Sequence, residues 1–150
     1  MAIDPTELQV QALSGTPQDA PVIFLNCHKY HERAQYEDGY DNPDLPPDVS
    51  GKQAYHRYLW AVEQDFMPEV GGRFILVGAV ELAMIGDADW DEVIIGEYPS
   101  KSEAFRMQTL PGYADINVHR IAGLLNVQTL SFNQTDLDRL TVPDAWRYRS

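Results

Sequence analysis

Three stretches decide the fold: Pro68-Glu-Val-Gly-Gly-Arg-Phe-Ile-Leu-Val-Gly-Ala-Val80, Trp90-Asp-Glu-Val-Ile-Ile-Gly-Glu-Tyr-Pro-Ser100, and Tyr113-Ala-Asp-Ile-Asn-Val-His-Arg-Ile-Ala-Gly-Leu124. The first two read as strands, because β-branched and aromatic residues recur without a helical period. In the first, Phe74, Leu76, Val80 and Leu82 point one way, and Ile75, Val77, Ala79 and Ile85 the other. Val93 and Ile95 oppose Ile94 and Tyr98 in the next. Both faces of this sheet are therefore apolar. Helices cover one face of an antiparallel sheet and leave the other to water, so a second apolar face calls for a second cover. A second copy of the same sheet is the economical one, and a homodimer follows.

Reading outward, Val22-Ile-Phe-Leu-Asn-Cys-His28 is a first strand, with Cys27 alone in the chain. A helix opens at Ser50, where Gln53 completes a capping-box spacing. Tyr55, Leu59, Val62 and Phe66, with Tyr58 beside them, form its buried stripe, and Pro68 with Gly71-Gly72 ends it. Ser100 and Glu103 open a second helical region, which Pro111 divides. A strand from Leu125 to Phe132 closes the series. With a tight connection at Gly86 to Trp90, the order is βαββαβ, an α+β ferredoxin-like split βαβ pattern with an antiparallel sheet. The expected organisation is an N-terminal arm (1–20), one domain (21–133) and a polar C-terminal tail (134–150). Within the domain, His31 to Val49 is an acidic, tyrosine- and proline-rich loop of a length that is functional, lid-like or disordered.

The 150 residues suit one domain, burying roughly 69% of the unfolded surface. A net charge of −12 disfavours nucleic acid and anionic membrane surfaces as partners. No segment has the length of a membrane span, the N-terminus has no signal-peptide pattern, and a lone cysteine suits a reducing cytoplasm.

Arg120 is the first candidate for chemistry. Tyr113, Ile116, Arg120 and Leu124 share one helix face, and a charge inside an apolar stripe must pair or snorkel. Either it holds a ligand anion, or it pairs internally with Glu81, Glu97 or a residue of a second subunit. His119 beside it is placed to exchange a proton near neutral pH, or to sit in a surface pair with Asp115 one turn earlier. Glu97, between apolar strand neighbours, either meets a cation or carries a raised pKa. Tyr58, Tyr98 and Tyr113, with Tyr55 and Trp60, supply aromatic surface with polar tips for the core or for a small planar ligand. Asn26, at the polar end of the first strand, either bonds a ligand or caps the sheet edge. His28 and His31 lack any metal-ligand spacing, and no phosphate-binding loop, dinucleotide fingerprint or nucleophile elbow occurs. The expectation is no metal and no cofactor.

Taken together, Asn26, Tyr55, Tyr58, Gly71-Gly72-Arg73, Gly86, Trp90-Asp91, Glu97-Tyr98-Pro99-Ser100, Phe105, Met107, Tyr113, His119-Arg120 and Ala122-Gly123-Leu124 carry a resemblance. The chain resembles the dimeric α/β-barrel superfamily, and within it an uncharacterised bacterial family, number thirteen-thirty among the domains of unknown function. The loop 31–49 is longer than that pattern. The resemblance implies a homodimer and brings no established chemistry, although the superfamily includes cofactor-independent monooxygenases, muconolactone-type isomerases and haem proteins. The expected function is therefore small-molecule binding in a cleft between sheet and helices, with isomerase or monooxygenase chemistry on an anionic or aromatic substrate. Arg120 would hold charge, His119 would move a proton, and Asn26, Tyr58, Glu97, Tyr98 and Tyr113 would bind substrate. The competing expectation is a non-catalytic binding or scaffold protein with a structural Arg–carboxylate pair.

Overall fold

The structure is a computed structural model, described for residues 1–133 and 140–147. The chain runs α1 (Glu7–Ser14), β1 (Val22–Tyr30), α2 (Gly51–Ala61), a π-helical turn (Val62–Phe66), α3 (Met67–Val70), β2 (Arg73–Ala79) and β3 (Glu92–Tyr98). It continues through α4 (Lys101–Arg106), a 3-10 turn (Met107–Thr109), α5 (Tyr113–Gly123), β4 (Leu124–Phe132) and α6 (Asp144–Arg147). The strands form one antiparallel sheet in the order β2-β3-β1-β4. Since β1 and β2 run the same way with β3 between them, this is the ferredoxin-like split βαβ arrangement. Of the expected tail, residues 134–139 and 148–150 lie outside the described residues.

Local chemistry explains the helix boundaries. Ser50 and Gln53 cap α2 reciprocally, as do Thr6 and Gln9 at α1. Ser100 accepts the Glu103 N–H, but Glu103 turns its carboxylate to Arg106 instead of returning the bond. The first long helix does not stop before Pro68. A proline has no N–H to donate and its ring crowds the carbonyl four residues back. The widened turn Val62–Phe66 comes just ahead of it, Pro68 occupies the first turn of α3, and the helix ends at Gly71 with a left-handed φ of 68°.

Two expectations about the second strand are corrected. Ile75 is an extra residue between the pairs Phe74–Gly96 and Leu76–Ile95, so a β-bulge reverses the alternation after Phe74. Phe74 and Val77 therefore share the face of Gly96 and Ile94, and Leu76 falls on the opposite face. The strand also ends at Ala79, and residues 80–91 form a long connection in place of a tight turn. Asp91 ties the end of this connection to both neighbouring strands: its carboxylate accepts the Tyr30 N–H at 2.9 Å, its own N–H reaches the His28 carbonyl at 2.8 Å, and its carbonyl accepts the Val80 N–H at 2.9 Å.

All the long helices pack on the face carrying Ile94, and the core lies between them and the sheet, built from Tyr55, Tyr58, Phe66, Met67, Tyr113 and Leu124 among others. The helices α2 and α5 approach unusually closely. A Cβ on Gly123 would stand 2.4 Å from the Gly51 carbonyl oxygen, and one on Gly51 would stand 2.8 Å from that of Gly123. The opposite sheet face carries a row across all four strands, Leu76–Ile95–Leu25–Leu130, whose edge members are half exposed.

Gly123→Ala is expected to destabilise the protein by about 1–3 kcal/mol, because the added methyl meets backbone that cannot rotate away. Urea titration of the variant checks this, with the transition midpoint lowered and its slope unchanged.

Candidate functional site

Three polar clusters surround the buried face of α5. The first lies where β1 ends and β3 begins. Glu92 is only 3% exposed and shares the helix-side face with Ile94, directly opposite His28 in the ladder. Its carboxylate accepts the Tyr30 hydroxyl at 2.6 Å and His56 Nε2 at 2.8 Å, with Lys52 Nζ at 3.6 Å. Burial pushes this carboxyl up, but the hydrogen bonds from Tyr30 and His56 and the charges of His56 and Lys52 outweigh it, and the pKa ends below the usual value. The Tyr30 hydroxyl has one proton, and the ionised carboxylate takes it. His28 Nδ1, 3.2 Å from the same oxygen, must therefore be the donor in that contact. His28 is thus held as the Nδ1–H tautomer with Nε2 left as a lone-pair acceptor. Its ring meets Tyr55 edge to face at 4.5 Å. Burial, then the neighbouring Arg120 and His56 charges, lower its pKa to about 4 against the pull of Glu92.

The second cluster locks the acidic loop onto the helices. Tyr36 places its hydroxyl 2.7 Å from His119 Nδ1 and accepts from Arg57 Nη1 at 3.0 Å. Arg57 also donates to the carbonyls of Leu45 and Pro46, and the rings of Tyr36 and Tyr40 stack at 4.2 Å. Backbone bonds from Gln35 N to Ala122 O and from His31 N to Gly123 O complete the attachment. His119 is buried beneath this loop, and burial followed by the Arg57 charge lowers its pKa.

The third cluster belongs to Arg120. Its guanidinium donates to the Ile3 carbonyl and to Asp4 Oδ1 at 3.3 Å, so the N-terminal arm supplies the partners expected from Glu81 or Glu97. Glu97 stands on the opposite sheet face and pairs with Arg73 at 2.5 Å. Nearby on α5, one turn from both Tyr113 and Arg120, Asn117 Oδ1 is buried with no hydrogen-bond partner.

Of the residues singled out from sequence, Tyr58 and Tyr113 meet directly, hydroxyl to hydroxyl at 2.8 Å, inside the core. The Arg120 charge reaches Tyr55, Tyr58 and His28, so these groups surround one region. Asn26 is pinned in the sheet, donating to the Ile94 carbonyl at 3.3 Å and accepting from Thr129 at 2.8 Å. Tyr98 packs on Phe24, and burial pushes its hydroxyl up to about 12. Together with Glu97, Pro21 and Gly71 it borders a shallow depression of about 270 Å³ at the far end of the sheet. His119 faces the loop. The residues missed were Glu92, Tyr30 and His56. A signal existed, since Glu92 has the parity of Ile94, and His28 that of Tyr30. Among the described residues no group of three His, Cys, Asp or Glu side chains is arranged to hold a metal.

No family model matches the chain, and no curated protein matches it. Solved structures do. The methylated RPA0582 protein is 26% identical with a TM-score of 0.77, over 92% of this chain and 98% of that one. The RPA0582 protein of unknown function from Rhodopseudomonas palustris is 28% identical with a TM-score of 0.73, over 89% and 97%. A protein of unknown function from Bacteroides fragilis, described as dimeric and ferredoxin-like, is 12% identical with a TM-score of 0.46, over 79% and 100%. The chain thus shares its fold with proteins of unknown function, and the resemblance to the thirteen-thirty family goes no further than that fold. No helix among the described residues is long and apolar enough to cross a membrane.

The buried histidine gives a pH dependence with a definite sign. With its folded pKa near 4 and an unfolded value near 6.5, His28 binds a proton only in the unfolded chain across that window. Stability is therefore complete above about pH 6.5 and falls by on the order of 3 kcal/mol as pH drops to 4. His119 adds to the fall below 6.5 with the same sign. Denaturation of wild type and His28→Gln between pH 4 and 7 should show a shallower slope in the variant. Tyr30→Phe, which leaves the Glu92 carboxylate short of a donor, should cost about 1.5–3 kcal/mol at pH 7.

Proposed function

We propose that the protein is a cytoplasmic homodimer of the α/β-barrel kind that binds a small anionic or aromatic molecule between the sheet and helices of each protomer. The observation that carries the reading is Asn117 Oδ1, a buried acceptor left without a donor, one turn along α5 from both Arg120 and Tyr113. An unsatisfied buried polar atom costs about 1–3 kcal/mol, and a ligand donor would remove that cost. Arg120 would hold the ligand's negative charge, and Tyr55, Tyr58 and Tyr113 would flank its apolar body.

The chemistry this supports is proton transfer in the manner of an isomerase, without metal or nucleotide. His28 suits the proton better than His119. Its Nδ1–H is anchored by the Tyr30–Glu92 pair, which leaves the Nε2 lone pair open, with burial and the Arg120 charge holding that nitrogen weakly basic. The Nδ1 of His119 is engaged by Tyr36 under the acidic loop.

The homodimer reading rests on the outer sheet face. Over the seven-residue length of β2 and β3, four strands abreast give a face of roughly 19 by 23 Å, or about 440 Å² in projection, against about 800 Å² per partner in a stable interface. Leu82, Met84 and Ile85 on the 80–91 connection, all strongly exposed, would extend the contact.

A second reading is favoured by the Arg120–Asp4 pair, which makes the protein a non-catalytic binding or scaffold protein with a structural Arg–carboxylate contact. Native mass spectrometry of freshly purified protein, set against the denatured chain, separates the two. A dimer with a small additional mass that Arg120→Ala loses is the expected result. A dimer of bare chains in both proteins, with Arg120→Ala less stable by about 1 kcal/mol, sinks the ligand reading and favours the scaffold. Asn117→Leu should raise stability by about 1 kcal/mol while losing the bound mass. Leu25→Asp should give monomers in sedimentation analysis, and an unchanged dimer would remove the outer face as the interface.

A further inference from the structure

The N-terminal arm crosses the chain like a strap held at both ends. At one end the Ala2 N–H donates to Asn126 Oδ1 at 3.0 Å, and the Val127 N–H donates to the Ala2 carbonyl at 2.9 Å. Val127 stands opposite His28 in the sheet, so this end runs along the free edge of β4, one strand from the histidine. Ile3 packs against the buried core, and Arg120 grips the Ile3 carbonyl and the Asp4 carboxylate. At the other end Lys101 Nζ donates to Thr16 Oγ1 at 2.6 Å, and Ser102 N to the Gln18 carbonyl at 3.1 Å.

Between these ends, α1 buries nothing. None of its eight residues is buried, and Leu8 and Val10 face solvent. A segment with few buried apolar contacts opens locally at low cost, and every arm hydrogen bond given up at the Ala2–Asp4 end can be replaced by water. The arm also presents a particular chemistry to the site, an aliphatic side chain followed by a carboxylate on Arg120. That is the chemistry of a small carboxylic acid with an apolar body.

We propose that residues Ala2–Asp4 are an exchangeable plug, with Ile3 and Asp4 holding the places of a ligand's apolar body and carboxylate. The inference rests on the cleft reading above and adds to it a ligand class and a gate. A carboxylate with a compact apolar body competes with the arm for Arg120 and for the space beside Tyr55 and His28. Its entry swings Ala2–Asp4 away while Thr16 and Gln18 keep the far end of the strap tied down. Apparent affinity is then reduced by the small fraction of chains whose arm is open, and weakening the arm removes that reduction.

The experiment uses benzoate as the probe, titrated by calorimetry into the full chain and into the Ile3→Ser, Asp4→Asn double variant. Ile3 is only partly buried and Asp4 is exposed, so the variant is expected to fold. The expected result is binding at least tenfold tighter in the variant. In the wild type, the Ile3 methyl resonance should move to its solvent-exposed position as benzoate saturates. Equal affinities overturn the plug, as does saturation with the Ile3 methyl unmoved. Absence of binding by the double variant overturns both the plug and the carboxylate class. The cleft reading fails separately, on a dimer of bare chains in the native mass measurement.

Discussion

The backbone contact between Gly51 and Gly123 sets the rest of the structure. With any side chain at either position, a Cβ would lie within 2.8 Å of a carbonyl oxygen, so α2 and α5 reach their observed separation only because both residues are glycine. The His31 backbone is threaded into the same crossing, donating its N–H to the Gly123 carbonyl and accepting the Gly51 N–H on its own carbonyl. The loop that follows His31 therefore starts from a fixed point, and Tyr36 comes to lie against His119. Further along the same two helices, the close approach lets the Tyr58 and Tyr113 hydroxyls bond each other inside the core. One steric constraint thus places the loop, the aromatic cluster and the face of α5 that carries Asn117 and Arg120.

That close packing explains how so many polar groups survive in the helix–sheet layer. Glu92 is buried at an end of the sheet where Tyr30, His56 and Lys52 all converge on its carboxylate, so its charge is compensated within hydrogen-bond reach. Arg120 lies too far along α5 to share those acceptors and takes its partners from the arm, one of them an exposed carboxylate. The contrast is physical. Glu92 has several donors held by regular secondary structure, whereas Arg120 depends on two residues, Ile3 and Asp4, ahead of a helix with no buried residue. Asn117 Oδ1 has no hydrogen-bond partner. Polar satisfaction is firm at the β1–β3 end and weak around Arg120, where a ligand gains most by supplying what is missing.

Legibility in the sequence followed the range of the interactions. The caps at Ser50 and Ser100, the helical stripe of Tyr55, Tyr58, Val62 and Phe66, and the order of strands and helices depend on neighbours a few residues apart, and they read directly. The bulge at Ile75 did not, because one inserted residue leaves the apolar composition unchanged while exchanging the faces of everything after it. Nor did the bond from the Tyr30 N–H to the Asp91 carboxylate, which joins residues 61 positions apart. The Arg120 contact with Asp4 spans 116 positions and joins a helix to an arm without any pattern of its own. For Glu92 the parity with Ile94 is written in the sequence, but Glu97 on the same strand has apolar neighbours of its own, and strand parity alone does not say which of the two faces the helices.

The two sheet faces pose opposite problems. The inner face is covered by helices over its centre, where Ile94 is buried, while Val77 on the edge strand stays exposed, and its polar residues are the ones needing partners. The outer face needs apolar cover, since Leu76, Ile95, Leu25 and Leu130 run unbroken from edge to edge, with the Arg73–Glu97 pair toward one end and the Lys29–Asp91 pair toward the other. A face of this kind is mostly flat and non-directional, which suits association of two like sheets, where hydrophobic burial needs area more than geometry. On the proposed reading, the inner layer would need geometry more than area, and dimerisation and ligand binding would draw on different residues. Substitutions in the Leu25 row would then bear on assembly through buried area, and those around Arg120 and Asn117 on recognition through polar contacts, with the sheet backbone between them common to both.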